Sequence, residues 1–281
     1  MRPGLVILVL ALWPAAAPAQ TMRTFTTFRQ VHGETRLGTK LEYGAGSLRI
    51  APGPDGELYR MNLSYDEDRF VPIGDFDAAS NSVLLGLRAA GQAGVRVVSR
   101  NQLQQVADVA FSSRVDLALD LALGAVDADL ELGGLRISNL ALKTGASQTV
   151  VRFSKPNLTR CSRADFSAGA AQLAILGLGN SRCDEIDFDG GMGKVTLDFG
   201  GGWTSSARVQ VKMAVGELTL RLPRRIGVRI TMDKFLSRFD GAAGLERRGD
   251  AFESVNYGKS QRHLDLDLTT AVGGVNVEWV D

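Results

Sequence analysis

Hydrophobic and polar positions alternate along this chain in units of about 22 residues. Each unit has a turn of small residues followed by a strand in which every second residue is apolar, as in "KVTLDF" and "ELTLRL". A period of two is typical of β-strands, whose successive side chains point to opposite faces. A shorter strand, such as "DEIDF" or "HLDLDL", comes before the turn. The pattern predicts an all-β protein.

The apolar positions of successive units fall into columns, which predict how the units are arranged. One column contains Thr149, Leu173, Val195 and Leu218, and a second contains Val151, Ile175, Leu197 and Leu220. Rungs of a parallel β-solenoid place equivalent residues above each other at a spacing of about 4.8 Å. We therefore predict a parallel β-solenoid with a period of about 22 residues, with a β-sandwich as the alternative. Pairing of residues 173–175 with 195–197 distinguishes the two folds.

The repeat pattern also divides the chain. Residues 20–113 are predicted to form an N-terminal β region that caps the stack, and residues 114–281 the repeats themselves. The segment 240–263 interrupts the repeat as an insertion, which is either a partner-binding loop or a cap over the core. A stretch from Asn101, "NQLQQVADVAF", is the only plausible short helix, and it could equally be a connector.

The N-terminus predicts export. Residues 1–19 contain one Arg, an apolar run and an A-x-A motif ending at Ala19, which is typical of a signal peptide cleaved before Gln20. The apolar run is too short to span a bilayer, and no later stretch is long and apolar enough to do so. The mature chain is therefore expected in the periplasm or outside the cell, without a transmembrane helix.

The two cysteines occupy equivalent positions of two units, "CSRADFSAG" from Cys161 and "CDEIDFDGG" from Cys183. If the rungs stack directly, these residues are neighbours across one ladder step, within reach of a disulfide. An exported pair of this kind should oxidise. We predict a disulfide, and two free stacked thiols are the alternative.

Charge excludes several partners. The chain has 32 Lys and Arg against 31 Asp and Glu, and loss of Arg2 with the signal peptide leaves the two signs equal. A neutral chain without basic clusters is not expected to bind nucleic acid or an anionic membrane surface.

Candidate chemistry is sparse, and we predict no catalytic, cofactor or metal site. The carboxylates of "CDEIDFDGG", such as Asp187 and Asp189, suggest calcium, but carboxylates at turns are usually solvated or cap backbone amides. The two histidines form no zinc motif, and no nucleophile motif is present. A polysaccharide-active β-helix enzyme is the catalytic alternative, because such enzymes use paired carboxylates.

Candidate partner-binding residues lie mainly in the insertion 240–263. Arg and aromatic side chains dominate binding energy at interfaces, and the insertion supplies them among glycines: Arg247, Arg248, Phe252 and Tyr257. Trp203, in "GGGWTSS", either stacks on a partner or folds back over the repeats.

The stretches "LALGAVDADLELGGLRISNLALKTGASQTVVRFSKPN" and "ILGLGNSRCDEIDFDGGMGKVTLDFGG" resemble the bacterial toastrack family, which includes LiaF-like C-terminal domains and adhesin-type envelope proteins. The upstream "YGAGSLRIAPGPDGELYRMNLSYDEDRF" resembles the N-terminal segment that accompanies this domain. The resemblance implies a right-handed β-solenoid and no known enzymatic activity. LiaF-like members are membrane-bound regulators of envelope stress signalling, whereas this chain has a signal peptide and no transmembrane helix. We therefore expect a non-catalytic envelope module that binds an envelope protein or cell-wall polymer, with a purely structural spacer as a further alternative.

Overall fold

A computed structural model describes residues 21–90, 104–241 and 243–281, so the predicted signal peptide lies outside the described residues. The all-β prediction is confirmed. Within these three ranges the only helical elements are two short 3-10 turns, Leu178–Ser181 and Tyr257–Lys259. None of the helices described is long and apolar enough to cross a membrane.

Within the residues that the structure describes, sixteen strands form one hydrogen-bonded sheet. In chain order they are β1 (Met22–Gln30), β2 (Arg36–Pro52), β3 (Glu57–Asp66), β4 (Phe70–Asp77), β5 (Ser82–Ala89), β6 (Val106–Phe111), β7 (Asp116–Glu131), β8 (Ile137–Thr144), β9 (Gln148–Arg152), β10 (Cys161–Leu176), β11 (Cys183–Asp198), β12 (Ala207–Pro223), β13 (Gly227–Asp240), β14 (Leu245–Arg248), β15 (Ala251–Ser254) and β16 (His263–Val280).

Long parallel strands build the body of the molecule. The sheet runs from β2 through β7, the consecutive pair β8 and β9, β10, β11, β12 and β16 to β13, and every one of these pairings is parallel. Strand β16, the last in the chain, lies between β12 and β13, so the spatial order departs from the chain order. Strand β2, which comes before residue 113, pairs in parallel with β7, which comes after residue 114. The division into domains at that point stays a prediction.

The predicted columns are present. Leu173 pairs with Val195, which in turn pairs with Leu218, and all three are buried. Ile175 pairs with Leu197 in the same parallel register. The offset between paired residues is 24 from β9 to β10, 22 from β10 to β11 and 23 from β11 to β12. This is the pairing that distinguishes stacked rungs from a sandwich.

Each long strand bends once near its middle, and the alternation of buried residues shifts there by one position. In β11 the buried residues are Ile186 and Phe188 before the bend, and Val195 and Leu197 after it. A strand would otherwise turn its apolar side chains outward after a bend, because side chains alternate strictly between faces. The shift keeps both halves of the strand facing one core.

Stacked glycines make the bend possible. Gly216 and Gly273 are paired neighbours with φ of 138° and 136°. A Cβ atom on Gly216 would lie 2.0 Å from the carbonyl oxygen of Gly193, and one on Gly273 would lie 1.9 Å from that of Gly216. Side chains other than hydrogen do not fit at this backbone conformation and spacing. The repeated glycines of the sequence are therefore structural.

Antiparallel strands lie at both ends of the stack. At the N-terminal end β3 pairs with β6 and β1 with β3, while β4 pairs with β5. Strand β6 corrects the helical interpretation of the segment from Asn101: residues 101–103 lie outside the described residues, and Val106–Phe111 is a strand. It forms a ladder with β2 on one side and β3 on the other.

The predicted disulfide is confirmed. Cys161 and Cys183 are paired across the β10–β11 ladder with a Cα–Cα distance of 4.2 Å, and their sulfur atoms are bonded. Both residues are buried. The bond joins the first residues of two adjacent rungs, so it holds the register of the stack at that point.

Candidate partner-binding surface

The insertion 240–263 folds as a hairpin at the C-terminal end of the stack. Strands β14 and β15 pair with each other, and β15 pairs with residues 229–231 of β13. Both pairings are antiparallel. The segment therefore covers part of the outer edge of β13 and is not a free loop.

Two of the four predicted anchor residues in this hairpin hold it in place. The Phe252 ring lies half-buried, 5.0 Å from the ring of Phe239. The Tyr257 hydroxyl donates a hydrogen bond to Asp265 at 2.8 Å, and its ring lies 4.8 Å from that of His263. Burial and this hydrogen bond raise the pKa of Tyr257 above its ordinary value. These contacts make Phe252 and Tyr257 structural parts of the hairpin.

The two predicted arginines are exposed. The Arg248 guanidinium lies 3.4 Å from Glu246 and 3.8 Å from Glu253, both in the hairpin. Arg247 donates to the carbonyl of Gly249 at 3.3 Å. Both side chains remain accessible to a partner, at the outermost strand of this end.

Trp203 does not share this surface. Its side chain is 6% exposed, and its indole N–H donates to the carbonyl of Phe199 at 2.7 Å. The ring therefore folds back over the repeats, and it is not available to stack on a partner.

Sequence reasoning missed a small hollow beside the hairpin, of about 250 Å³, which we call the terminal hollow. Its lining residues are Arg224, Ala243, Gly244, Ser254, Val255, Asn256 and Trp279. The half-buried Trp279 ring donates through its indole N–H to the carbonyl of Ala243 at 2.8 Å, and the Arg224 guanidinium lies 5.8 Å from the ring centroid. Val255, at the rim, is 63% exposed.

Hydrogen bonds hold the backbone of the terminal hollow in shape. The Ser254 hydroxyl accepts from the amide of Val228 at 2.9 Å and donates to the Asn256 side chain at 2.7 Å. Asn256 in turn donates to the carbonyls of Arg224 and Ile226, both at 3.2 Å. A surface that is ordered before binding loses less conformational entropy when a partner docks.

Three of the four carboxylates in the acidic stretch that suggested calcium, Asp184, Glu185 and Asp187, are paired with arginines. The Arg163 guanidinium contacts Asp165 at 2.8 Å, Glu185 at 3.2 Å and Asp187 at 2.6 Å. The contacts with Glu185 and Asp187 cross one ladder step, whereas Asp165 lies on the same strand as Arg163. Together they raise the pKa of Arg163, the hydrogen bond to Asp165 contributing most. Among the residues that the structure describes, no group of His, Cys, Asp and Glu side chains could hold a metal ion.

A wider groove of about 680 Å³ runs along the bends of β12, β16 and β13. It collects Glu217, Arg238 and Asp240, as a polysaccharide-active site would require. However, Glu217 is 69% exposed and paired with Lys194, and Asp240 is paired with Arg238 at 3.0 Å. A catalytic acid is usually held in a partly buried site that excludes water, whereas both of these carboxylates are exposed and ion-paired.

Comparisons with known proteins identify the family. Residues 17–176 match the family described as the N-terminal domain of toast_rack, DUF2154, which is more than half of the chain. No curated protein matches the sequence.

Two solved structures resemble the chain over nearly its whole length. A "putative cell adhesion protein" from Clostridium sporogenes is 17% identical, with a TM-score of 0.49, over 92% of this chain and 100% of that one. A "putative adhesin" from Bacteroides fragilis is 11% identical, with a TM-score of 0.35, over 91% and 97%. At these scores the likenesses carry no argument about function. The family match confirms the resemblance seen in the sequence: the chain belongs to the toast_rack family.

Proposed function

We propose that this protein is a non-catalytic exported module of the cell envelope, which binds an envelope protein or cell-wall polymer through the C-terminal end of its stack. The observation that carries the proposal is the terminal hollow. It places a Trp ring and an Arg side chain around a pre-ordered concavity, and these two residue types are the commonest anchors of interfaces. The exposed Arg247 and Arg248 lie on the same hairpin and extend the surface.

The chemistry of the described residues supports a binding role over catalysis. Asp184, Glu185 and Asp187 of the acidic stretch contact arginines, and Glu217 and Asp240 of the wide groove are exposed and ion-paired. A reaction on polysaccharide would require two carboxyl groups that flank one glycosidic bond of the substrate in a cleft.

Export is supported by two features of different kinds. The A-x-A motif before Gln20 is typical of signal-peptide cleavage. The disulfide between Cys161 and Cys183 is the kind of bond that persists in oxidising compartments. As finer features of the fold, we propose that the rungs coil with a right hand and keep a period of about 22 residues.

The binding proposal is tested with mature protein, residues 20–281, added to isolated cell envelopes. Val255→Glu places a charge at the rim of the terminal hollow without removing a hydrogen bond. We expect wild-type protein to bind saturably and Val255→Glu to lose at least about tenfold in affinity, since a charge that docking buries loses its hydration. Photo-cross-linking from position 255 then identifies the partner.

Val71→Glu is the matched control. Val71 is exposed to a similar degree in β4, at the opposite end of the stack. This variant should bind like wild type. Absence of saturable binding, or equal loss in both variants, would contradict the proposal.

A further inference from the structure

The opposite end of the stack carries a long strand with one free edge. Strand β1 is the outermost strand there, and within the described ranges it pairs only with β3, over nine residues. A strand edge of this length presents a row of backbone groups that can pair with another chain.

The ladder shows which backbone groups face outward. The amide of Glu67 donates to the carbonyl of Thr21, and the amide of Val31 donates to the carbonyl of Gly56. Odd-numbered residues of β1 therefore direct their N–H and C=O groups toward β3, because the direction alternates along an antiparallel strand. Thr24, Thr26 and Phe28 direct theirs away from the molecule.

Strand β1 has few of the features that normally protect an edge. It has no Pro and no Lys, and its ladder with β3 is regular up to Arg29. The other outer strands differ in this respect. Strand β14 has only four residues and three of them are charged, while β4 contains Pro72 and two aspartates. Short, charged or proline-containing edges resist pairing.

The composition of β1 indicates what pairs with it. Its only charges are Arg23 and Arg29, and each already contacts a carboxylate of its own chain, Glu67 and Glu34. The exposed even-numbered face of β1 is uncharged and is formed by Met22, Thr24, Thr26, Phe28 and Gln30. The Arg60 guanidinium lies 4.6 Å from the Phe28 ring centroid and is itself paired with Glu57. A charged partner strand finds nothing complementary there, whereas a neutral strand of Thr and Phe is complementary to itself.

We propose that β1 of one molecule pairs antiparallel with β1 of a second copy, forming a two-fold symmetric dimer with a continuous sheet. A register of this dimer is defined by the residue of β1 that lies on the two-fold axis. Two registers with the axis near the strand centre place exposed side chains of both copies on the same face of the sheet. The register centred on Thr26 places Arg23 opposite Arg29, and like charges directly opposite are destabilising. The register centred on Thr27 places Phe25 opposite Arg29 and Thr26 opposite Phe28. The second register is therefore the one proposed, and in it Thr26 and Phe28 exchange backbone hydrogen bonds.

The proposal is independent of partner binding, since the two surfaces lie at opposite ends of the stack. It is tested by analytical ultracentrifugation of the mature chain over a range of concentrations. Thr26→Pro removes an outward N–H while leaving the β1–β3 ladder intact. Wild type is expected to sediment at twice the monomer mass, and Thr26→Pro to raise the dissociation constant at least about tenfold, because two symmetric hydrogen bonds are lost.

Matched variants keep the test decisive. Thr26→Ser retains both the N–H and the hydroxyl that donates to Asn62 at 3.0 Å, and should dimerise like wild type. Thr26→Lys introduces the usual protection of an edge and should also be monomeric, and it decides the matter if the proline variant does not fold. Wild-type protein that stays monomeric at every concentration, or folded Pro and Lys variants that dimerise as tightly as wild type, would overturn the proposal.

Discussion

Asn157 is the residue whose replacement tests the packing of the turns most sharply. It is fully buried between β9 and β10, and its side chain joins the turns of three successive rungs. The side-chain oxygen accepts from the amide of Ile137 at 2.7 Å. The side-chain nitrogen donates to the carbonyls of Ile137 at 2.7 Å, Thr159 at 3.0 Å and Ser181 at 3.1 Å.

Asn157→Ala leaves the buried amide of Ile137 without its partner, which costs about 1–3 kcal/mol, and removes the donor that three carbonyls share. We expect a loss of about 2–4 kcal/mol in the free energy of unfolding. For a chain of this size that corresponds to a decrease of roughly 5–15 °C in Tm. Urea unfolding followed by circular dichroism measures the first quantity, with an unchanged slope showing that the folded state remains compact.

Two further variants separate the hydrogen bonds from simple loss of volume. Asn157→Asp keeps the acceptor but replaces the donor with a carboxylate facing carbonyl groups, so it should cost at least as much as alanine at neutral pH. Asn276→Ala removes an exposed amide, bonded only to Glu278 at 3.2 Å, and should change stability by less than about 0.5 kcal/mol. A cost below about 1 kcal/mol for Asn157→Ala would refute the reasoning.

Three other predictions concern the disulfide, the bend of the long strands and a buried hydroxyl. Replacing Cys161 and Cys183 together with Ala should lower the free energy of unfolding by roughly 3 kcal/mol, because the bond closes a loop of 22 residues in the unfolded chain; reduction of the wild type should reproduce most of this loss. Gly216→Ala should destabilise by more than about 2 kcal/mol in the same assay, because its Cβ would overlap a carbonyl oxygen of the preceding rung, whereas Gly258→Ala, with open space around it, should be nearly neutral. The buried Tyr43 hydroxyl has no hydrogen-bond partner, so Tyr43→Phe should be neutral or stabilising at pH 7. Burial raises the pKa of Tyr43 in the folded state, so the unfolded chain alone ionises above about pH 10 and wild-type stability should fall there more steeply than that of Tyr43→Phe.

The columns of apolar residues and the disulfide could be predicted from the sequence because both depend on periodicity alone. Leu173, Val195 and Leu218 recur at nearly constant spacing, and a parallel ladder converts that spacing directly into contact. The same logic brought Cys161 and Cys183 together. In both cases one local pattern determines one tertiary arrangement.

The order of the strands could not be predicted in this way. The segments "AVGELTLRL" and "AVGGVNVEWV" have the same apolar pattern, so each would fit any position in the stack. In the structure they are direct neighbours, because β16 returns to lie between β12 and β13. Hydrophobic periodicity predicts which face of a strand is buried, but it does not predict which strand lies next to it in the sheet.

Strand β6 and the terminal hollow show two other limits. Val106, Val109 and Ala110 have helical spacing, while Ala107, Val109 and Phe111 alternate as in a strand, and only ladders with two neighbours favour the second pattern. Such short segments are decided by tertiary context.

The terminal hollow brings residues from three distant segments together. In the sequence, Trp279 continues the alternation of Val275 and Val277, which predicts a position in the core. Its indole N–H instead reaches a carbonyl of the hairpin turn, which depends on where the non-sequential strand β16 ends.

We propose that the chain is exported to the cell envelope and folds there as a stack of strands joined by the disulfide. The most direct test is the intact mass of the protein isolated from its native cells, measured without reducing agent. The predicted result is a chain beginning at Gln20 that lacks the two thiol hydrogens of Cys161 and Cys183. A chain that retains residues 1–19 and carries two free thiols would contradict the claim.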